Sequence, residues 1–185
     1  MNGINKTLVC VCCFAGVYFS GCTMAPSEYA TYYSMHKKRY TATIKRNDIT
    51  AQVRYLPDEL FVAKILQSDT TQKIENVKAL FSNSLFINVS MTYDSTKTAS
   101  QYTTVPDAEG SAYMYTKSDT VYAVAMRPEL TVDPSTREYV LTFPVKSFKK
   151  NISNYTIKIR DLDARLGTIE VSMNSIYKKS PELRN

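Results

Sequence analysis

The chain has 185 residues, a formal net charge of +6 and 44% hydrophobic residues, which suits one domain with a sizeable core and leaves little room for a second. Its basic residues are spread along the chain, and the nearest things to clusters are His36-Lys37-Lys38-Arg39, Lys146 with Lys149-Lys150, and Lys178-Lys179, a solvated-surface pattern without the concentrated stripe that nucleic acid demands. With one histidine, four cysteines and five glycines, most histidine-based, cysteine-metal and glycine-loop chemistry is already closed.

In chain order, the first element is an apolar run from Leu8 to Phe19, preceded by Lys6 and followed by Ser20-Gly21-Cys22. A run of about a dozen residues suits a signal-peptide core and is short for a membrane-spanning helix. Small residues directly before a cysteine, at the end of such a run, resemble the lipobox of bacterial lipoproteins. The resemblance covers the export segment alone. It implies a signal peptide over residues 1–21, lipidation of Cys22 with palmitate-type chains, and a membrane anchor in the cell envelope. Thr23 after Cys22, where inner-membrane retention uses Asp, implies the outer membrane. Cys10, Cys12 and Cys13 lie inside the removed segment, so Cys22 is left alone and neither an intrachain disulfide nor a CxxC zinc site is available. The domain is therefore expected to fold on its apolar core alone.

Residues 22–28 read as a lipidated tether. Ser27 and Glu28 are expected to cap a helix running to about Arg39, with Tyr29, Tyr32, Tyr33, His36 and Tyr40 on one stripe. Tyr40, Ala42 and Ile44, then Ile49, Ala51, Val53 and Tyr55, alternate with polar residues about Asn47-Asp48 and predict an antiparallel hairpin. Leu56-Pro57-Asp58-Glu59 predicts a helix entry, since proline fits the first turn and acids suit the N-terminal dipole. That helix should end near Ser68, and a second should run from Thr70 or Thr71 to about Ser82. Leu85 to Tyr93 alternate strictly and predict a long half-buried strand, and residues 94–110 read as an exposed loop. Short strands are then predicted at about 111–116, 120–127, 138–145, 154–160 and 167–174. Residues 179–185 read as a frayed polar tail. Together these predict a single mainly β domain over 29–178, an antiparallel β-sandwich with one to three helices in the N-terminal half, with a mixed α+β arrangement as the alternative.

Little in this sequence carries catalytic chemistry. His36 stands beside three cations, no G-x-S-x-G or H-E-x-x-H is present, and no cofactor or metal set is apparent. Asp161 and Asp163 alternate at a strand end, but Arg160 and Arg165 offer them ion pairs before calcium. Fourteen tyrosines without any tryptophan suit strands, and they also supply contact surface. The expectation is a non-enzymatic envelope lipoprotein that binds or scaffolds an envelope protein partner, without nucleic acid. The alternative is a glycan- or peptidoglycan-binding module using Tyr102, Tyr113 and Tyr115, and behind it a carboxylate-dependent hydrolase.

Overall fold

A computed structural model describes residues 23–94, 108–160 and 162–184. Its strands are β1 (Thr23–Met24), β2 (Thr41–Arg46), β3 (Ile49–Leu56), β4 (Ser84–Tyr93), β5 (Ala112–Tyr115), β6 (Thr120–Tyr122), β7 (Ala125–Glu129), β8 (Thr136–Pro144), β9 (Thr156–Ile159), β10 (Ile169–Ser172) and β11 (Glu182–Leu183). Three helices, α1 (Pro26–His36), α2 (Asp58–Ser68) and α3 (Ile74–Phe81), lie in the N-terminal half, and two single turns, α4 (Ala108–Ser111) and α5 (Met173–Ile176), follow. The fold is mixed α+β, with two larger antiparallel sheets that do not close on themselves.

The five-stranded sheet has the order β2-β3-β4-β8-β7. Its β2–β3 hairpin forms as the alternation predicts: Ile49, Ala51, Val53 and Tyr55 are buried, and the residues between them are half-buried. Asn47 takes φ 54° in the two-residue turn, a left-handed conformation that asparagine tolerates better than most side chains. α1 begins at Pro26, and the Glu28 carboxylate accepts the Ala25 N–H at 3.3 Å. The helix thus starts two residues before the predicted boundary and buries Tyr29 and Tyr33. α2 starts directly after Pro57 and buries Leu60, Val62 and Ala63. Phe61 of α2 and Phe81 of α3 pack on Phe86 of β4, with ring centroids 4.7 and 6.1 Å from it.

The four-stranded sheet has the order β10-β9-β5-β6. Here the structure corrects the single strand predicted over 120–127. β6 belongs to this sheet, whereas β7 is an edge of the five-stranded sheet. The chain crosses at Ala123-Val124, where the Ala123 N–H donates to Ala112 and the Val124 N–H to Thr142, one carbonyl in each sheet. A second correction concerns the end of the chain. Instead of fraying, β11 pairs in parallel with β1, and Leu183 is buried. One continuous apolar core draws on both larger sheets and all three helices.

Candidate functional site

Alternation along β5, β9 and β10 buries Ala112, Met114, Ile157, Ile159, Ile169 and Val171 on one side of the four-stranded sheet. The other side is wet, and register decides what stands on it. Lys158 pairs across to Glu170 on one flank and to Tyr113 on the other, and Tyr113 pairs to Tyr122. A second row sets Thr156 beside Tyr115, and Tyr115 beside Thr120. Three tyrosine rings therefore cluster, with centroids 5.9 Å apart for Tyr113–Tyr115 and 5.7 Å apart for Tyr113–Tyr122. Tyr122 is 55% exposed, unusual for so large a ring in a regular strand.

Arg160, just past β9, places its guanidinium 5.0 Å from the Tyr113 ring centre and donates to the Tyr113 hydroxyl at 2.6 Å. Lys158 and Glu170 form an ion pair at 2.6 Å, and their hydrogen bond holds the lysine above, and the glutamate below, its ordinary pKa. At the Tyr115 end the face descends into a groove of about 390 Å³ lined by Tyr115, Thr116, Lys117, Lys150, Asn154 and Thr156. Its walls are braced from behind. The buried Tyr155 donates its hydroxyl to Asp119, which also accepts the Lys149 N–H. The hydrogen bond from Tyr155 is the main influence that holds the Asp119 carboxyl below its ordinary range.

Of the residues singled out from the sequence, Tyr113 and Tyr115 stand together on this face. Tyr102 and Cys22 lie outside the described residues. Sequence reasoning missed Tyr122, Lys158, Arg160 and Glu170, which join the face only through strand pairing. Tyr122 carried a local signal, since it falls on the polar phase of a short alternating run.

A different set of tyrosines is internal. Tyr33, Tyr40, Tyr55 and Tyr177 pack in succession at centroid distances of 5.2, 6.3 and 4.8 Å, and the Tyr33 hydroxyl donates to the Tyr55 carbonyl at 2.9 Å. Burial pushes the Tyr33 hydroxyl up to about 12 and raises that of Tyr177. Beside this cluster, Glu59 in the first turn of α2 accepts the Ser180 hydroxyl at 3.0 Å. Burial, then a hydrogen bond with Asp58 and its like charge, pushes Glu59 up to about 7. This acid pair sits under the docked C-terminal segment. His36, the lone histidine, stacks on Tyr32 at 4.3 Å and engages the Tyr32 carbonyl through Nδ1, a local helix contact.

Asp163 is buried and serves structure. Its carboxylate accepts from Arg165 Nη2 at 3.1 Å, from the Arg165 backbone at 2.9 Å and from the Tyr93 hydroxyl at 3.2 Å. Burial alone would raise its pKa, and these bonds, chiefly from Arg165, outweigh burial and hold it below the usual carboxylate range. Asp161 lies outside the described residues. Among the described residues, no three His, Cys, Asp or Glu side chains are grouped to hold a metal ion, and no helix is long and apolar enough to cross a membrane.

No protein-family model matches the chain, and no curated protein matches it. Among solved structures the chain is similar to a novel protein of unknown function from Burkholderia pseudomallei K96243. The two share 12% identity over 80% of this chain and 89% of that one, with a TM-score of 0.41.

Proposed function

We propose that this chain is a lipid-anchored, non-catalytic binding component of the bacterial envelope, held at the outer membrane through Cys22. The observation that carries the binding role is the wet face of the four-stranded sheet, where Tyr113, Tyr115 and Tyr122 share one surface with Arg160 and Lys158. Rings of this kind offer large contact area at low entropic cost, and they remain available to a partner. In this reading the two larger sheets lie back to back as layers of a β-sandwich, which turns the tyrosine face outward. The one-sided burial of β5, β9 and β10 and the single shared core support that arrangement.

The anchor has its own test. In a bacterial host fed a clickable palmitate analogue, the wild-type protein is expected to take the label and sediment with membranes. Cys22→Ser should abolish labelling and leave an unprocessed or soluble product. An unlabelled wild-type protein, processed before Cys22 or elsewhere, would refute the lipid anchor.

A further inference from the structure

Charge on the tyrosine face is unbalanced in a way that points to its ligand. Lys158 is neutralised by Glu170, and Lys149 by Asp119 at 3.7 Å. Three further cations make no direct ion pair among the described residues, although the charge of Arg160 also bears on Glu170. Lys117 projects at the groove, Lys150 donates to the Ser118 hydroxyl at 2.9 Å, and Arg160 is held by Tyr113. A guanidinium oriented by a phenol keeps its full charge and most of its five N–H donors. Arg160 is thus already aimed, with no direct carboxylate contact among the described residues.

We propose that this face binds a glycan strand bearing carboxylates, with sugar rings laid on Tyr115 and Tyr122 and acid groups taken by Arg160, Lys117 and Lys150. The inference rests on the proposed envelope-binding role and deepens it. Two features favour this occupant. The tyrosine pairs are tilted by 47–53°, so the face presents separate, differently inclined rings to successive puckered sugars, in place of a coplanar shelf for flat bases. These cations flank the rings at Arg160 and in the groove, so one extended chain meets aromatic and cationic contacts in turn. A neutral sugar polymer would leave all three cations idle. A bidentate Arg–carboxylate contact adds strength and direction that stacking alone does not supply.

The test uses the full chain in a polyoxyethylene detergent, titrated calorimetrically with oligogalacturonate, with soluble peptidoglycan strands, with a neutral cello-oligosaccharide of equal length and with single-stranded poly(U). Binding to oligogalacturonate or to peptidoglycan strands, at least tenfold tighter than to the neutral chain, is the expected result, and the tighter of the two acidic probes names the source of the carboxylate. Arg160→Gln and Tyr122→Ala should each weaken it about tenfold. Both positions are exposed, so an unchanged thermal midpoint will show that the fold is intact. Equal affinity for the neutral chain, preference for poly(U), or no binding to either acidic glycan would overturn the inference. Failure here alongside palmitate labelling at Cys22 would leave the anchored-component reading standing.

Discussion

Asp163→Ala is expected to lower the stability of the protein by about 3 kcal/mol, read as a fall in the urea-denaturation midpoint. The reason lies in what this carboxylate holds. Asp163 binds Arg165 through side chain and backbone, and Arg165 in turn bonds Asp48 at 2.8 Å. Nearby, Arg46 donates to the carbonyls of Leu166 and Thr168 at 2.9 and 3.0 Å, and Asn47 donates to the Arg165 carbonyl at 3.0 Å. The β2–β3 turn of the five-stranded sheet is thereby fastened to the β9–β10 connection of the four-stranded sheet. Gly167, at φ 64°, closes that connection in a conformation that other side chains resist. Removing the carboxylate takes one of two acidic partners from the half-buried Arg165 guanidinium and the acceptor from the buried Tyr93 hydroxyl. Asp163→Asn keeps the shape and part of the bonding, and it should cost about half as much. Because the folded-state pKa of Asp163 is depressed, its contribution is present above the unfolded carboxylate pKa and is lost as pH falls through the folded value. A midpoint for Asp163→Ala equal to wild type at pH 7 would show that the clamp is dispensable.

Glu59→Gln is expected to do the opposite at alkaline pH. Glu59 is raised from 4.5 to about 7, so the folded state holds a proton that the unfolded chain releases. Its stabilising contribution is complete below about 4.5, declines as pH rises and is gone above about 7. The positive end of α2 favours the charged form by up to about 1 kcal/mol, and burial beside Asp58 outweighs it. Glutamine stays neutral throughout and still accepts the Ser180 hydroxyl. At pH 8 the variant should be about 2 kcal/mol more stable than wild type, a figure discounted for the part of the carboxyl that meets solvent. At pH 4.5 the two should coincide. A variant less stable than wild type at pH 8 would mean that the ionised carboxylate is the favoured form. The readout matters beyond stability, because Ser180 leads into β11, which pairs with the strand directly after Cys22.

Local patterns carried much of the fold. The hairpin through Asn47, the extent of β4 and the α2 start at Pro57-Asp58-Glu59 were legible because each depends on neighbours in sequence: one turn, one alternating run, one helix dipole. The half-buried character expected of β4 was not borne out, since Asn88 and Ser90 on its polar phase are buried along with its apolar residues, a cover that only the tertiary fold supplies. The switch at Ala123-Val124 was not. Residues 120–127 alternate acceptably for a single strand, and which sheet each half joins depends on hydrogen bonds to Ala112 and Thr142, set by the tertiary fold. β11 was hidden for a similar reason, since two residues carry no period and Leu183 is apolar among polar neighbours. The candidate face was half legible. Tyr113 and Tyr115 share a side because they are two apart on one strand. Tyr122, Lys158, Arg160 and Glu170 reach them across strands whose register no local pattern states.

Photo-crosslinking in intact cells tests the binding role of the tyrosine face most directly. A benzophenone side chain would replace Tyr122 on the face or, as a control, Leu80, which is 70% exposed on α3. The account predicts that position 122 captures an envelope component and that position 80 does not. Capture at position 80 with none at position 122 would contradict it.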